Sequence, residues 1–83
     1  MKNRIRKAME DMLQKNCICN YTYVLNGKEV FQKSDFALDA YMTAYELSIN
    51  GNVECYMTPN GKRAHKPVLS IKDGIITLSG QVI

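Results

Sequence analysis

Residues 17–32 read CICNYTYVLNGKEVFQ, and the fold class turns on this stretch. Residues 17–25 alternate, so that Cys17, Cys19, Tyr21, Tyr23 and Leu25 share one face of a strand. Asn26-Gly27 follows. Both central residues of a type I′ turn need positive φ, and Asn-Gly is the strongest short signal for one. Residues 28–32 then return as a second strand. A two-residue loop sets Tyr23 opposite Val30 and Thr22 opposite Phe31.

On the N-terminal side, residues 3–15 have helical periodicity. Ile5, Met9, Met12 and Leu13 lie on one side, with Arg6, Lys7, Glu10, Asp11 and Gln14 on the other. Asn3 is placed to cap this helix. On the C-terminal side, Ser34 is expected to cap a second helix running to about Asn50, with Asp35 at the positive end of its dipole. Gly51 suits the left-handed residue that closes a helix. Ala37, Ala40, Ala44 and Leu47 form a stripe that lets the helix lie close to a sheet. Leu38, Tyr41, Met42, Tyr45 and Ile49 form a second apolar side, and Asp39, Thr43, Glu46 and Asn50 a wet one. One sheet contact does not need that much apolar circumference.

Residues 52–58 read as a strand with Val53, Cys55 and Met57 on one side. Pro59-Asn60-Gly61-Lys62 reads as a hairpin turn, and residues 62–66 begin a return strand. Pro67 has no amide proton and belongs at an edge or a break in the ladder. Residues 68–72 and 75–79 pair about Asp73-Gly74, with Leu69 facing Leu78 and Ile71 facing Ile76 on one face. Gly80 alone among the five glycines has no turn or cap assignment. The expected fold is therefore α+β, in the order α-β-β-α-β-β-β. Four to five antiparallel strands in three hairpins carry two helices on one face.

The 83 residues make one domain, 1–83, with 46% hydrophobic and 23% charged residues. A chain this short buries roughly 60% of its unfolded surface, enough for one core. No apolar run approaches the ~20 residues that span a bilayer. The basic start, Met1 to Lys7, resembles a signal peptide, but Glu10, Asp11 and Gln14 interrupt the apolar stretch that should follow. A cytoplasmic location is expected. An odd number of cysteines without an export signal argues for reduced, mostly buried thiols.

The net charge of +3 is unevenly spread. Residues 1–15 hold five bases and two acids, residues 16–61 two bases and five acids, and residues 62–83 four bases and one acid. Converging ends would make a basic face from Arg4, Arg6, Lys7, Lys62, Arg63, His65 and Lys66, able to neutralise several phosphates. Tyr21, Tyr23, Tyr41, Tyr45 and Tyr56 are candidate base-stacking rings. A membrane-surface role for the first helix is disfavoured by its narrow apolar face without aromatics.

Chemistry-bearing constellations are few. Cys17, Cys19, Cys55 and His65 nominally form a zinc set, but alternate strand residues are ~6.6 Å apart along the backbone, too far for two thiolates on one zinc without a bend. His65 lies among Lys62, Arg63 and Lys66, which suits an electropositive surface better than a tuned base for a cysteine nucleophile. Asp35 and Asp39, one helical turn apart, suit a solvated face. No glycine-rich phosphate loop occurs. No metal, cofactor or catalytic residue is expected.

The stretch from Asn20 through the Ser34-capped helix to Cys55 resembles the ββαβ plan of small bacterial and phage proteins, including phage-encoded anti-CRISPR inhibitors. That resemblance implies stoichiometric inhibition of a host defence complex. Residues 71–82, Ile-Lys-Asp-Gly-Ile-Ile-Thr-Leu-Ser-Gly-Gln-Val, resemble the first strand pair of BON domains, which a helix and another strand follow. The expected function is non-enzymatic protein binding through Tyr41, Met42 and Tyr45, where a second copy is one candidate partner. Nucleic-acid binding through the basic segments 2–7 and 62–66 is the alternative, and an enzyme ranks third.

Overall fold

Three two-residue turns with consecutive positive φ set out the sheet. In the computed structural model, which describes residues 18–58 and 61–82, Asn26 and Gly27 have φ of 51° and 82°, Asp73 and Gly74 51° and 79°, and Ser79 and Gly80 49° and 84°. The backbone twist of such turns matches that of the paired strands. The elements are β1 (Ile18–Leu25), β2 (Lys28–Phe36), α1 (Ala37–Leu47), a 3-10 turn (Ser48–Asn50), β3 (Val53–Met57), β4 (Leu69–Lys72), β5 (Ile75–Leu78) and β6 (Gln81–Val82). They form one sheet in the order β2-β1-β3-β4-β5-β6, antiparallel at each pairing.

The α+β class stands, with six strands in the described residues rather than four to five. The helix expected over residues 3–15 lies outside the described residues. The sixth strand comes from the Ser79-Gly80 turn, which gives Gly80 the conformational role that the sequence reading left open. The hairpin about Asp73-Gly74 has the expected register, Leu69↔Leu78 and Ile71↔Ile76.

Four sequence expectations are corrected. First, Tyr23 pairs with Phe31, and Thr22 with Gln32, because a bulge between Tyr23 and Val24 takes up one extra residue of β2. A one-residue slip exchanges the faces of a strand. It sets Phe31 on the core face, stacked on Tyr23 with ring centroids 5.0 Å apart, and leaves Val30 exposed.

Second, β2 does not stop at Gln32, and Ser34 is not a helix cap. The Ser34 hydroxyl donates to Asn20 Oδ1 across the strand pair, and the ladder continues to Ile18↔Phe36. α1 starts at Ala37 behind an extended Phe36, with no side-chain cap. Local capping preference has given way to strand pairing.

Third, residues 62–66 are not a strand. Ala64 N donates to Met57 O and Val68 N to Cys55 O, both at 2.9 Å. Four residues of this segment thus advance along only two of β3, so the residues between them, Pro67 included, bow out of the ladder. The connection is a loop, and β4 rather than 62–66 is the partner of β3.

Fourth, Gly51 is not a left-handed helix closer. Its φ of 151° is one that favours glycine, but with ψ of −161° the backbone is extended and not left-handed helical, and an added Cβ would run into the Asn26 side chain. Asn26 and Asn52 together hold one end of the sheet. Asn52 N donates to Asn26 Oδ1 at 2.9 Å, Asn26 N to Asn52 O at 2.8 Å, and Asp73 N to Asn52 Oδ1 at 3.0 Å.

The core lies between α1 and one face of the sheet. Ala37, Ala40 and Ala44 of the helix meet Tyr21, Tyr23, Val53, Cys55, Leu69, Ile71 and Leu78, all buried. Alanines there let the helix axis approach the sheet, as the stripe in the sequence implies. On the opposite face, Thr22 and Thr58 are also buried, and their hydroxyls bond at 3.2 Å.

Candidate interaction surface

α1 turns 100° per residue, so its alanine stripe fixes the direction of every other side chain. Tyr41 follows Ala37 by four residues and precedes Ala44 by three, which brings it onto the buried stripe. It is 2% exposed. The expectation that Tyr41 belongs to an exposed interface is therefore corrected. Met42 and Tyr45 lie further round, each 39% exposed, and Ile49 is 78% exposed, more than any other large apolar residue described. The Tyr41 and Tyr45 rings are 6.0 Å apart and tilted, so the buried ring supports the exposed one.

Ile49 stands at the rim of an open groove of about 290 Å³, bounded by Gly51, Asn52, Ile71 and Asp73 at the bracketed end of the sheet. The apolar side of the helix and this groove are continuous through Ile49.

Burial raises the Tyr41 phenol above its ordinary range, with Tyr45 adding to the shift. Its hydroxyl is buried without a hydrogen-bond partner among the described residues. An unsatisfied buried hydroxyl carries a desolvation cost. Tyr41→Phe keeps the ring and removes that atom, so urea unfolding should show a gain of about 1 kcal/mol. A comparable loss would mean that the hydroxyl holds a partner.

The basic residues divide. Arg4, Arg6 and Lys7 lie outside the described residues. Lys62, Arg63, His65 and Lys66 are all exposed in the loop between β3 and β4. The Arg63 guanidinium lies 4.5 Å from the centre of the Tyr56 ring, an attraction between a cation and an aromatic face. Of the five tyrosines considered for base stacking, Tyr21, Tyr23 and Tyr41 are buried, and Arg63 already occupies a face of Tyr56.

The cysteines and acids take structural positions. Cys55 is buried and Cys19 half-buried, both as free thiols. Burial, with Asp35 adding, pushes the Cys55 thiol from 9.0 up to about 12. A thiol held protonated is a poor nucleophile and a poor ligand. Cys17 lies outside the described residues, and no three His, Cys, Asp or Glu side chains among the described residues form a metal-binding group. Asp35 is not one helical turn from Asp39. It sits in β2, where its Oδ2 accepts from the Tyr23 hydroxyl at 3.4 Å and pairs with Lys33 Nζ at 3.5 Å.

One surface was missed in the sequence. β2 is nine residues long, forms an edge of the sheet, and is exposed at every position except Asp35. The sequence carried no signal for it: Gln32, Lys33, Ser34 and Asp35 are all polar, and the capping preference of Ser34 pointed to a helix start.

Fold and surface together define the class: a small antiparallel α+β sheet domain with an exposed apolar helix side and an exposed basic loop. No protein-family model matches the chain, and no curated protein or solved structure matches it significantly. Among the described residues no helix is long and apolar enough to cross a membrane.

Proposed function

We propose that the chain is a non-enzymatic, cytoplasmic protein-binding module that presents the outer side of α1 to a protein partner. The observation that carries this reading is the exposure of Met42 and Tyr45 on the outer side of α1 and of Ile49 in the 3-10 turn that follows it. Met42 and Tyr45, three residues apart on α1, have the spacing of anchors by which a helix is held in an apolar groove. Large apolar side chains grouped this way, with charged residues nearby, mark partner sites more often than scattered ones do. The resemblance to phage inhibitors suggests stoichiometric blocking of a host defence complex as the biological form of this binding.

The test uses tagged protein in nuclease-treated bacterial lysate. The wild type is expected to retain one stoichiometric partner. Met42→Glu combined with Ile49→Glu should weaken that binding at least about a hundredfold, since burying two unpaired carboxylates is costly, while circular dichroism and melting stay unchanged. A partner retained by this variant overturns the assignment of the surface.

A second reading, nucleic-acid binding, is favoured by Lys62, Arg63, His65 and Lys66 sharing one exposed loop. Its mark is a steep fall of affinity with salt, one counterion released per phosphate neutralised. Partners lost on nuclease treatment, together with that salt slope, would favour this loop over α1.

A further inference from the structure

The backbone hydrogen bonds of β1 fix which groups of β2 are free. Thr58 N donates to Asn20 O, and Asn26 N to Asn52 O, both at 2.8 Å. The main-chain groups of the even-numbered β1 residues therefore point to β3. Those of Cys19, Tyr21 and Tyr23 point to β2, where their partners are Asp35, Lys33 and Phe31. Antiparallel ladders alternate hydrogen-bonded and non-hydrogen-bonded pairs. Hence Phe31, Lys33 and Asp35 spend their N–H and C=O groups on β1. Gln32, Ser34 and Phe36 direct theirs to the open edge, where no described strand meets them.

An exposed row of donors and acceptors is a template for another strand. The charges on β2 select which strand. Two copies of β2 can meet antiparallel across a dyad only if outward-facing residues pair with outward-facing residues. A dyad at Lys33 sets lysine against lysine, and a dyad at Asp35 sets aspartate against aspartate. A dyad at Gln32 sets Lys33 against Phe31. A dyad at Ser34 sets Lys33 of each copy against Asp35 of the other, twice, on the α1 face of the sheet. These are non-hydrogen-bonded positions, where side chains approach most closely.

The side-chain geometry suits this pairing. The Lys33 side chain is 53% exposed. Both contacts of Asp35, from its own Lys33 and from the Tyr23 hydroxyl, fall on Oδ2, and its side chain is 11% exposed. On the opposite face Ile18 and Phe36, a cross-strand pair, are both exposed beside the seam.

We infer that β2 is a self-recognition edge: a second copy of this chain adds its own β2 antiparallel, centred on Ser34, and the two sheets become one. The interface is isologous, as a dyad requires. A five-residue strand pairing is smaller than a standard stable interface, so the dimer forms at high concentration and dissociates on dilution. Charge complementarity sets its register, and main-chain hydrogen bonds hold it.

Sedimentation equilibrium from micromolar to millimolar protein tests this. The wild type should show a monomer–dimer equilibrium that weakens with salt. Lys33→Glu places carboxylates opposite Asp35 at both ends of the seam and should raise the dissociation constant at least about tenfold. Ser34→Pro removes an amide proton that faces outward, where proline is tolerated on an edge, and should give a monomer with intact circular dichroism. Met42→Glu, on the surface proposed above for a partner, should leave the dimer intact. A monomer at every concentration overturns the inference. So does a dimer that survives both β2 variants, or one that Met42→Glu dissolves and Lys33→Glu does not.

Discussion

Tyr23→Ala should lose about 3–5 kcal/mol of folding stability, which is most of what a domain of this size has. Tyr23 is fully buried in β1, a strand flanked by β2 and β3. Its ring stacks on Phe31, with Tyr21 6.4 Å away, and its cross-strand partners are Phe31 and Cys55. Its hydroxyl reaches Asp35 at the edge of the core. Truncation would leave a ring-sized void between the alanine stripe of α1 and the middle of the sheet. The alanines have no longer side chain with which to fill it. Tyr23→Phe keeps the ring and gives up one long hydrogen bond, so it should cost only about 1 kcal/mol. Urea unfolding followed by circular dichroism measures both. Equal losses for the two variants would mean that the hydroxyl, and not the packing, holds this part of the core.

How far the fold could be read ahead of the structure depended on whether the deciding interaction was local. Asn26-Gly27 and Asp73-Gly74 need left-handed backbone within two residues, and the pairing of Leu69 with Leu78 follows at once from the second turn. The alanine stripe of α1 is visible because the period of a helix is carried by its own sequence. Ser34 shows the opposite case. Its capping preference is local, but its hydroxyl is claimed by Asn20, fourteen residues earlier, and that contact exists only once β1 and β2 have paired beyond Gln32. The bulge at Val30 is likewise decided across strands, by the gain of stacking Phe31 on Tyr23. The loop at 62–66 is basic and polar, and nothing in five residues marks it as bowed out rather than paired.

The surfaces divide in the same way. Met42 and Tyr45 were legible as surplus apolar circumference. Tyr41 was not separable from them, since it sits where the two apolar sides of the helix merge, and only the position of the sheet assigns it to the core. The β2 edge was hidden for a topological reason. β1 comes first of the described strands yet lies inside the sheet, because α1 carries the chain over it to β3. Hairpin signals give neighbours, and they do not say which neighbour is last.

Raising the pH above about 9 should progressively unfold the chain, and the burial of its ionisable core groups gives the sign. Burial pushes the Cys55 thiol from 9.0 up to about 12. Burial, with Cys19 and Cys55 adding, pushes the Tyr21 phenol from 10.0 up to about 12. Burial raises Tyr23 as well. In the folded chain these groups keep their protons, whereas in the unfolded chain the thiol releases its proton near pH 9 and the phenols near pH 10. Between those values and the folded ones the unfolded state binds fewer protons, so stability falls as pH rises. Each group contributes on the order of 1 kcal/mol per pH unit. The stabilisation is fully present below pH 9, and three groups acting together above pH 10 exceed a small domain's reserve within about two units. Cys55→Ala removes the first of them, so its stability should stay flat up to about pH 10, one unit beyond the wild type. Chemical unfolding at a series of pH values gives both curves. The Tyr21 and Tyr23 ring resonances, followed residue by residue by NMR, should change to tyrosinate only together with unfolding. Ionisation of either ring ahead of unfolding would show that it reaches solvent in the native chain, and a Cys55→Ala curve that bends at the same pH as the wild type would show that the buried thiol does not set the first step.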